Sequence, residues 1–82
     1  EDKVFEMEDD VLLDVKGLIC PMPLLKAKRA LNAMEIGQTL RVLATDHTSQ
    51  QDFITFSEQS GHHLISSSVS EGVYNHLLRK MR

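Results

Sequence analysis

The sequence predicts an α+β two-layer sandwich in which two helices pack on one face of a four-stranded mixed sheet, in the order β-α-β-α-β-β. Two observations lead to this prediction. Short segments rich in branched residues alternate along the chain with two segments whose apolar residues recur every three or four positions. Neither an internal repeat nor a linker interrupts the 82 residues, so we expect a single domain.

The first ten residues differ in charge from the rest of the chain. Six acidic residues and one Lys give residues 1–10 a charge of −5, whereas eight basic and six acidic residues give the remainder +2. We therefore expect residues 1–10 to be a mobile acidic tail and residues 11–82 to form the folded domain.

The first strand and the first helix are predicted from branched residues and from helical spacing. The segment Val11-Leu12-Leu13-Asp14-Val15 stops at Gly17 and is typical of a strand. After two prolines, apolar residues at helical spacing predict a helix over about residues 21–35, closed by Gly37. These apolar residues are Leu24, Ala27, Leu31 and Met34.

A second strand and a second helix follow. Residues 39–45 alternate between apolar and polar positions, with Leu40, Val42 and Ala44 on one side, which predicts a strand. Thr48-Ser49-Gln50-Gln51 has the form of a capping box, which predicts that a helix begins there. Gly61 can end this helix in a left-handed conformation.

The last segment allows two interpretations. Residues 63–70 are rich in strand-forming residues, and Glu71-Gly72 can supply a tight turn into residues 73–80, which predicts an antiparallel hairpin. Val73, Leu77 and Met81 are also spaced by four, so a terminal amphipathic helix fits residues 73–81 as well.

The single cysteine lies at a predicted helix start, in Cys20-Pro21-Met22-Pro23. Pro is tolerated in the first helical turn, so Pro21 predicts the first helical position and makes Cys20 the cap residue. Backbone N–H groups there, such as those of Met22 and Leu24, and the helix dipole would stabilise a thiolate. We expect the Cys20 thiol to titrate below the free value of about 8.5. The alternative is a buried cysteine that acts as a small apolar residue.

The reactions available to Cys20 are limited because it is the chain's single cysteine. Without a second cysteine it cannot close an internal disulfide. It can still accept one sulfur atom as a persulfide and pass it to another thiol. A redox adapter that forms mixed disulfides would use the same exchange reaction, so only the cargo distinguishes the two functions.

The pattern Leu13-Asp14-x-x-Gly17-x-x-Cys20-Pro21-x-Pro23 resembles the signature of the TusA, SirA and YedF group of small sulfur-carrier proteins. The resemblance implies a two-layer fold and a sulfurtransferase of carrier type, in which Cys20 accepts persulfide sulfur from a cysteine desulfurase or a rhodanese-type donor. A downstream acceptor protein would receive the sulfur, with tRNA thiolation as one destination. No cofactor is implied beyond the covalent persulfide. Ile19 replaces the basic residue that precedes the cysteine of the tRNA-thiolation carrier.

Other candidate site residues have plainer explanations. Asp46 and Asp52 could support Cys20 by orienting a partner, or they are a turn residue and an acid in a first helical turn. The pair His62-His63 could supply a proton donor or a ligand, but adjacent strand residues face opposite ways, which favours one exposed and one partly buried histidine. Basic residues of the first helix could meet an acidic donor surface or form its wet face; they are Lys26, Lys28 and Arg29.

Composition argues against several other classes of function. The four aromatic residues form no stacking pair on one strand and the chain has no basic stripe, which argues against an RNA-binding module. Cysteine and histidine are too scattered to predict a metal site. No apolar run approaches the roughly 20 residues of a membrane span, and we expect a cytoplasmic protein.

Overall fold

The computed structural model describes residues 3–7, 10–19 and 21–82. Within them the chain forms two helices and one five-stranded sheet. The elements are β1 Lys3–Met7, β2 Asp10–Asp14, α1 Met22–Asn32, β3 Thr39–Ala44, α2 Ser49–Ser60, β4 His63–Ser70 and β5 Val73–Arg79. The strand order is β1-β2-β3-β5-β4. Strands β2 and β3 are parallel and the other pairs are antiparallel, so the sheet is mixed.

The predicted fold class is confirmed. Strands β2 to β5 and the two helices follow the predicted order β-α-β-α-β-β. Alternate residues of β2, β3 and β5 and one side of each helix meet in a single core. Its buried apolar members are Val11, Leu13, Val15, Ala27, Leu31, Met34, Leu40, Val42, Ala44, Phe53, Phe56 and Leu78. The apolar faces predicted for the first helix and for the strand at residues 39–45 are the faces that pack here.

Strand β1 adds a fifth strand to the four that the sequence predicted. It pairs with β2 from Lys3 opposite Asp14 to Met7 opposite Asp10, in the segment that the sequence analysis assigned to an acidic tail. The sequence interpretation gave more weight to the high charge of this segment than to its strand-forming residues Val4 and Phe5. In the structure, pairing with β2 supplies hydrogen-bond partners for the backbone of β1. The predicted mobility of residues 1–10 stays a prediction, and residues 1, 2, 8 and 9 lie outside the described residues.

The β4–β5 hairpin settles the interpretation of the last segment. Ser70 pairs with Val73, and between them Glu71 and Gly72 have φ values of 51° and 79°. Two successive residues with positive φ are the mark of the tight turns that match the twist of a hairpin. The predicted hairpin is therefore confirmed, and the alternative terminal helix is wrong.

The two helices differ in how well the sequence predicted their C-terminal ends. α1 ends at Asn32 rather than near residue 35, because its last turn tightens through bonds from Ala33 N–H to the Ala30 carbonyl and from Met34 N–H to the Leu31 carbonyl. The Lys80 ammonium then donates to the Met34 carbonyl at 2.7 Å. α2 ends as predicted, at Gly61 with φ 86°.

The topology brings three connections to one edge of the sheet. Parallel β2 and β3 both end there, each leading into the start of a helix. Strand β5 begins there, with Tyr74 opposite Ala44. We call this the helix-start edge, defined by residues 15–19, 21–22, 45–48 and 71–72. Neither helix in the described part of the chain is long and apolar enough to cross a membrane.

Candidate functional site

Hydrogen bonds hold the loop at residues 15–19 at several points. Val15 continues the ladder beyond β2 by donating its N–H to the Leu43 carbonyl at 2.8 Å, and the Gly17 N–H donates to the Thr45 hydroxyl at 2.9 Å. Gly17 has φ 87°, a conformation that glycine adopts without steric cost. Leu18 donates its N–H to the Val15 carbonyl, and its side chain packs against the core. The loop that leads to Cys20 therefore has a defined path.

Cys20 itself lies outside the described residues. The described residues on either side of it are at the surface: Ile19 is 73% exposed, and Pro21 is exposed too. The Met22 N–H donates to the Ile19 carbonyl at 2.9 Å, which joins the two sides of the Cys20 position. The carrier role of Cys20 and the alternative of a buried apolar cysteine both stay predictions.

The start of α1 lies one residue later than the sequence predicted. Pro21, not Cys20, is the N-cap residue, and the Pro21 carbonyl accepts the first helical bond from the Leu25 N–H at 3.1 Å. The reason is the turn closed by Met22 and Ile19, which delays the helix by one position. Because this turn uses the Met22 N–H and Pro23 has none, Leu24 carries the first-turn N–H that has no acceptor within the helix.

The two prolines have different surroundings. Pro21 is exposed, whereas Pro23, in the first turn of α1, is buried together with Ala27 and Leu31. Pro23 therefore contributes to the packing of α1 on the sheet as well as to its start. The supporting role predicted for both residues in sulfur chemistry stays a prediction.

Asp46 organises the connection between β3 and α2. One carboxylate oxygen accepts the Thr48 N–H at 3.1 Å, and the other accepts the Thr48 hydroxyl at 2.9 Å. The Asp46 carbonyl also accepts the Ser49 N–H at 3.0 Å. This is the geometry of an Asx turn, so it supports the structural interpretation of Asp46. A further contribution of Asp46 to partner binding stays a prediction.

The predicted capping box at the start of α2 is wrong. Thr48 is the N-cap residue, but its hydroxyl is turned to Asp46 and makes no capping bond to the described helix. The Gln51 amide donates to the Thr55 hydroxyl at 3.3 Å instead of reaching back to the cap. Asp52 lies in the first turn, as predicted for an acid beside a helix start, and its N–H donates to the Thr48 carbonyl.

Two of the charged and histidine candidates, Lys28 and His62, both lie beside the Phe56 ring of α2. The Lys28 ammonium lies 5.7 Å from the centre of the Phe56 ring, so it is held over α2 rather than beside the helix-start edge. His62 is half-buried and accepts the Met81 N–H through Nδ1 at 3.1 Å, whereas His63 is exposed, which confirms the expected division of the pair. Partial burial, with Lys80 and Arg82 nearby, lowers the pKa of His62.

The sequence analysis missed His76, a buried histidine beside α2. Its Nε2 is 3.0 Å from the Ser49 hydroxyl, and its Nδ1 is 2.8 Å from the Ser67 hydroxyl. Burial lowers the pKa of His76 to about 4, so the ring is neutral at physiological pH. Strand alternation could have indicated its burial, because His76 lies two residues before Leu78 and therefore faces the core with it.

The arrangement offers a surface loop at a helix start rather than an enclosed active site. Among residues 11–19 and 21–82, no three His, Asp or Glu side chains are grouped as ligands for a metal ion. Exposed apolar side chains accompany the start of α1: Ile19 at 73%, Met22 at 39% and Leu25 at 48% exposure. We call these three side chains the apolar patch. They suit contact with another protein.

Comparison with known proteins identifies the family. The family described as "Sulfurtransferase TusA" matches residues 11–80. A sulfur carrier protein TusA of Allochromatium vinosum is 46% identical over 71 residues, which cover 87% of this chain and 93% of that protein. A putative sulfur carrier protein of Neisseria meningitidis serogroup A is 50% identical over 62 residues, which cover 76% of this chain and 84% of that protein.

A solved structure shows the same fold. The crystal structure of a SirA-like protein from Desulfitobacterium hafniense superposes with a TM-score of 0.75 at 26% identity, covering 87% of this chain and 97% of that one. The match over residues 11–80 spans β2 to β5 and both helices, together with the Cys20-Pro21-Met22-Pro23 motif. This chain is therefore a member of the TusA family.

Proposed function

We propose that this protein is a sulfur carrier that accepts one sulfur atom as a persulfide on Cys20 and passes it to the thiol of an acceptor protein. The observation that carries the proposal is the family match, which includes the chain's single cysteine at the start of α1. Relatives at 46% and 50% identity are named as a sulfur carrier and a putative sulfur carrier.

The transfer needs no oxidant or reductant. The Cys20 thiolate would attack the outer sulfur of a donor persulfide, so that a new S–S bond forms on Cys20 while the donor's S–S bond breaks and its thiolate leaves. In the second step the acceptor's thiolate would attack the outer sulfur of the persulfide. A new S–S bond then forms on the acceptor, the S–S bond on Cys20 breaks, and Cys20 leaves as a thiolate. One sulfur atom moves in each step and the number of S–S bonds is unchanged.

The start of α1 supports the thiolate in this scheme. The helix dipole places partial positive charge at its beginning, and the Leu24 N–H has no acceptor within the helix. Cys20 lies two residues before Met22, the first residue of α1, and we propose that the helix start stabilises its thiolate. A thiolate stabilised in this way is present at neutral pH and is the reactive form.

The surroundings of Cys20 favour partners that are proteins. We propose that a cysteine desulfurase or a rhodanese-type protein donates the sulfur, and that the apolar patch contacts donor and acceptor in turn. Use of one surface for both would ensure that the carrier releases its donor before it delivers the sulfur. tRNA thiolation is one possible destination within this scheme, although Ile19 replaces the basic residue expected before the cysteine of that carrier.

Transfer of labelled sulfur tests the proposal. The protein is incubated with a cysteine desulfurase and cysteine that carries radioactive sulfur, then separated without reductant. We expect label on the wild type, release of that label by dithiothreitol, and none on Cys20→Ser. A redox adapter would form mixed disulfides with glutathione disulfide but would take up no label from the desulfurase, and that outcome would contradict the carrier proposal.

A further inference from the structure

We infer that Thr45 is a positioning residue for Cys20: its hydroxyl holds the loop at residues 15–19, which leads to Cys20. Neither the sequence pattern nor the family match assigns a role to Thr45. The part of this inference that concerns sulfur transfer rests on the proposed function, whereas the part that concerns the position of the thiol does not.

The Thr45 hydroxyl extends the β2–β3 ladder beyond the two strands. The regular pairing ends at Asp14 opposite Leu43, and the Val15 N–H then bonds to the Leu43 carbonyl at 2.8 Å. Two residues beyond Val15 and two residues beyond Leu43, the Gly17 N–H donates to the Thr45 hydroxyl at 2.9 Å. The step of two residues is that of a parallel ladder, but the acceptor is a side chain because Gly17, at φ 87°, has left the strand conformation.

Three neighbouring backbone N–H groups bond to the end of β2 or within the loop itself. The Lys16 N–H bonds to the Asp14 carboxylate, the Leu18 N–H to the Val15 carbonyl and the Met22 N–H to the Ile19 carbonyl. Beyond Val15, the bond to Thr45 links the loop leading to Cys20 with the connection leading to α2.

The Thr45 side chain is expected to affect the position of the loop more than the stability of the fold. Thr45 is exposed, so its side chain adds little to the core, and its hydrogen bond to Gly17 lies in contact with solvent. An exposed hydrogen bond contributes little to global stability. The same bond matters more to a short surface loop, since local opening depends on the few contacts that hold the segment.

Loss of the bond would reduce the fraction of molecules in which Cys20 is correctly placed. Attack on an S–S bond requires the attacking sulfur to lie close to the outer sulfur and in line with the bond, so the rate depends on position. One hydrogen bond of ordinary strength changes the balance between a held and a released loop by about fivefold. The rate of sulfur transfer follows the held fraction, so we expect loss of the bond to lower it by up to about fivefold.

Three variants test the role of the hydroxyl. Thr45→Val keeps the branched shape and removes the acceptor, whereas Thr45→Ser keeps the acceptor. Thr55→Val is the matched control, because Thr55 also accepts a side-chain hydrogen bond, but in α2 and from Gln51. If Thr45→Val does not fold, as judged by circular dichroism, Thr45→Ala takes its place and is compared with Thr45→Ser in the same way.

Two measurements apply to each variant. The first is the single-turnover rate of sulfur loading at saturating donor, together with the donor concentration that gives half of it. Thr45→Val should lower the rate measurably, by up to about fivefold, with little change in that concentration, while Thr45→Ser and Thr55→Val should match the wild type. The second is the rate of Cys20 alkylation by iodoacetamide against pH. The profile of Thr45→Val should move to higher pH, towards that of a free cysteine, and Thr45→Ser should restore it.

Exchange of the Gly17 amide with solvent, measured by NMR, shows that the bond has been removed. If Thr45→Val exchanges this amide faster but keeps the wild-type loading rate and alkylation profile, the inference is overturned. If the wild type itself takes up no sulfur, the proposed function fails, and the alkylation profiles alone decide whether Thr45 positions Cys20.

Discussion

His76 stacks on Phe53 between α2 and β5, with ring centroids 4.6 Å apart and an angle of 26° between the planes. Both ring nitrogens are engaged by hydroxyl groups, Nε2 by Ser49 at the start of α2 and Nδ1 by Ser67 in β4. A fully buried polar ring is thus satisfied by one bond from each neighbouring element. Because the ring is buried, the folded protein favours the neutral form of His76.

The first prediction concerns pH. Burial lowers the pKa of His76 from 6.5 to about 4, so the unfolded chain binds more protons than the folded one between these values. The stabilising contribution of neutral His76 is complete above about pH 6.5 and is lost as the pH falls towards 4. At pH 5 the loss is about 2 kcal/mol. Urea unfolding at pH 7 and pH 5 should show it as a larger drop for the wild type than for His76→Gln. Equal drops would contradict the assignment.

The second prediction concerns the hydroxyl groups around His76. Ser67→Ala removes the partner of Nδ1 and leaves a buried polar atom unsatisfied, which should lower the free energy of unfolding by about 1–3 kcal/mol. Ser68→Ala is the control, because Ser68 is the next residue of β4 and is exposed. Its free energy of unfolding should stay within about 0.5 kcal/mol of the wild type. If the two variants unfold at the same urea concentration, the Ser67 bond to His76 adds no stability.

The third prediction concerns the β4–β5 turn. Glu71 adopts a φ of 51°, which costs a residue with a Cβ atom, and it precedes Gly72 at φ 79°. Asn tolerates this conformation better, and Asn-Gly is favoured in such turns. Glu71→Asn should therefore raise the free energy of unfolding by about 0.5–1 kcal/mol, measured by urea titration. Gly72→Ala should lower it. A Glu71→Asn variant less stable than the wild type would contradict the turn assignment.

The fourth prediction separates the two prolines. Pro21 is exposed at the N-cap of α1, so Pro21→Ala should loosen the helix start and lower the rate of sulfur loading while the free energy of unfolding changes by less than about 1 kcal/mol. Pro23 is buried, so Pro23→Ala should also destabilise the fold through lost packing. Single-turnover loading and urea unfolding of both variants distinguish these effects. If Pro21→Ala loads sulfur at the wild-type rate, Pro21 serves folding alone.

The sequence predicted the features that depend on local periodicity and turn chemistry. Leu24, Ala27 and Leu31 follow the period of a helix, and Leu40, Val42 and Ala44 follow that of a strand, so burial of one face could be read directly. Glu71-Gly72 predicted the hairpin because its turn requires positive φ. The two-layer arrangement follows once the alternation of strands and helices is recognised.

Features that depend on contacts distant in sequence could not be read in this way. The bond between Gly17 and Thr45 joins residues 28 positions apart, and nothing in either local pattern signals it. Strand β1 forms because β2 offers it a partner, although its segment is highly charged. At the start of α2, the Thr48 hydroxyl could have capped the helix, but it donates to the Asp46 carboxylate instead. The local sequence does not show which of these two bonds forms.

The central claim is that Cys20 holds a single sulfur atom until a partner removes it. Intact mass spectrometry after incubation with a cysteine desulfurase and cysteine tests this most directly. The wild type should gain the mass of one sulfur atom, since the chain has no second cysteine to expel it as a disulfide. Reductant should remove the added mass, and Cys20→Ser should never acquire it. Added sulfur on Cys20→Ser, or an unchanged mass of the wild type with desulfurase and rhodanese-type donors alike, would contradict the account.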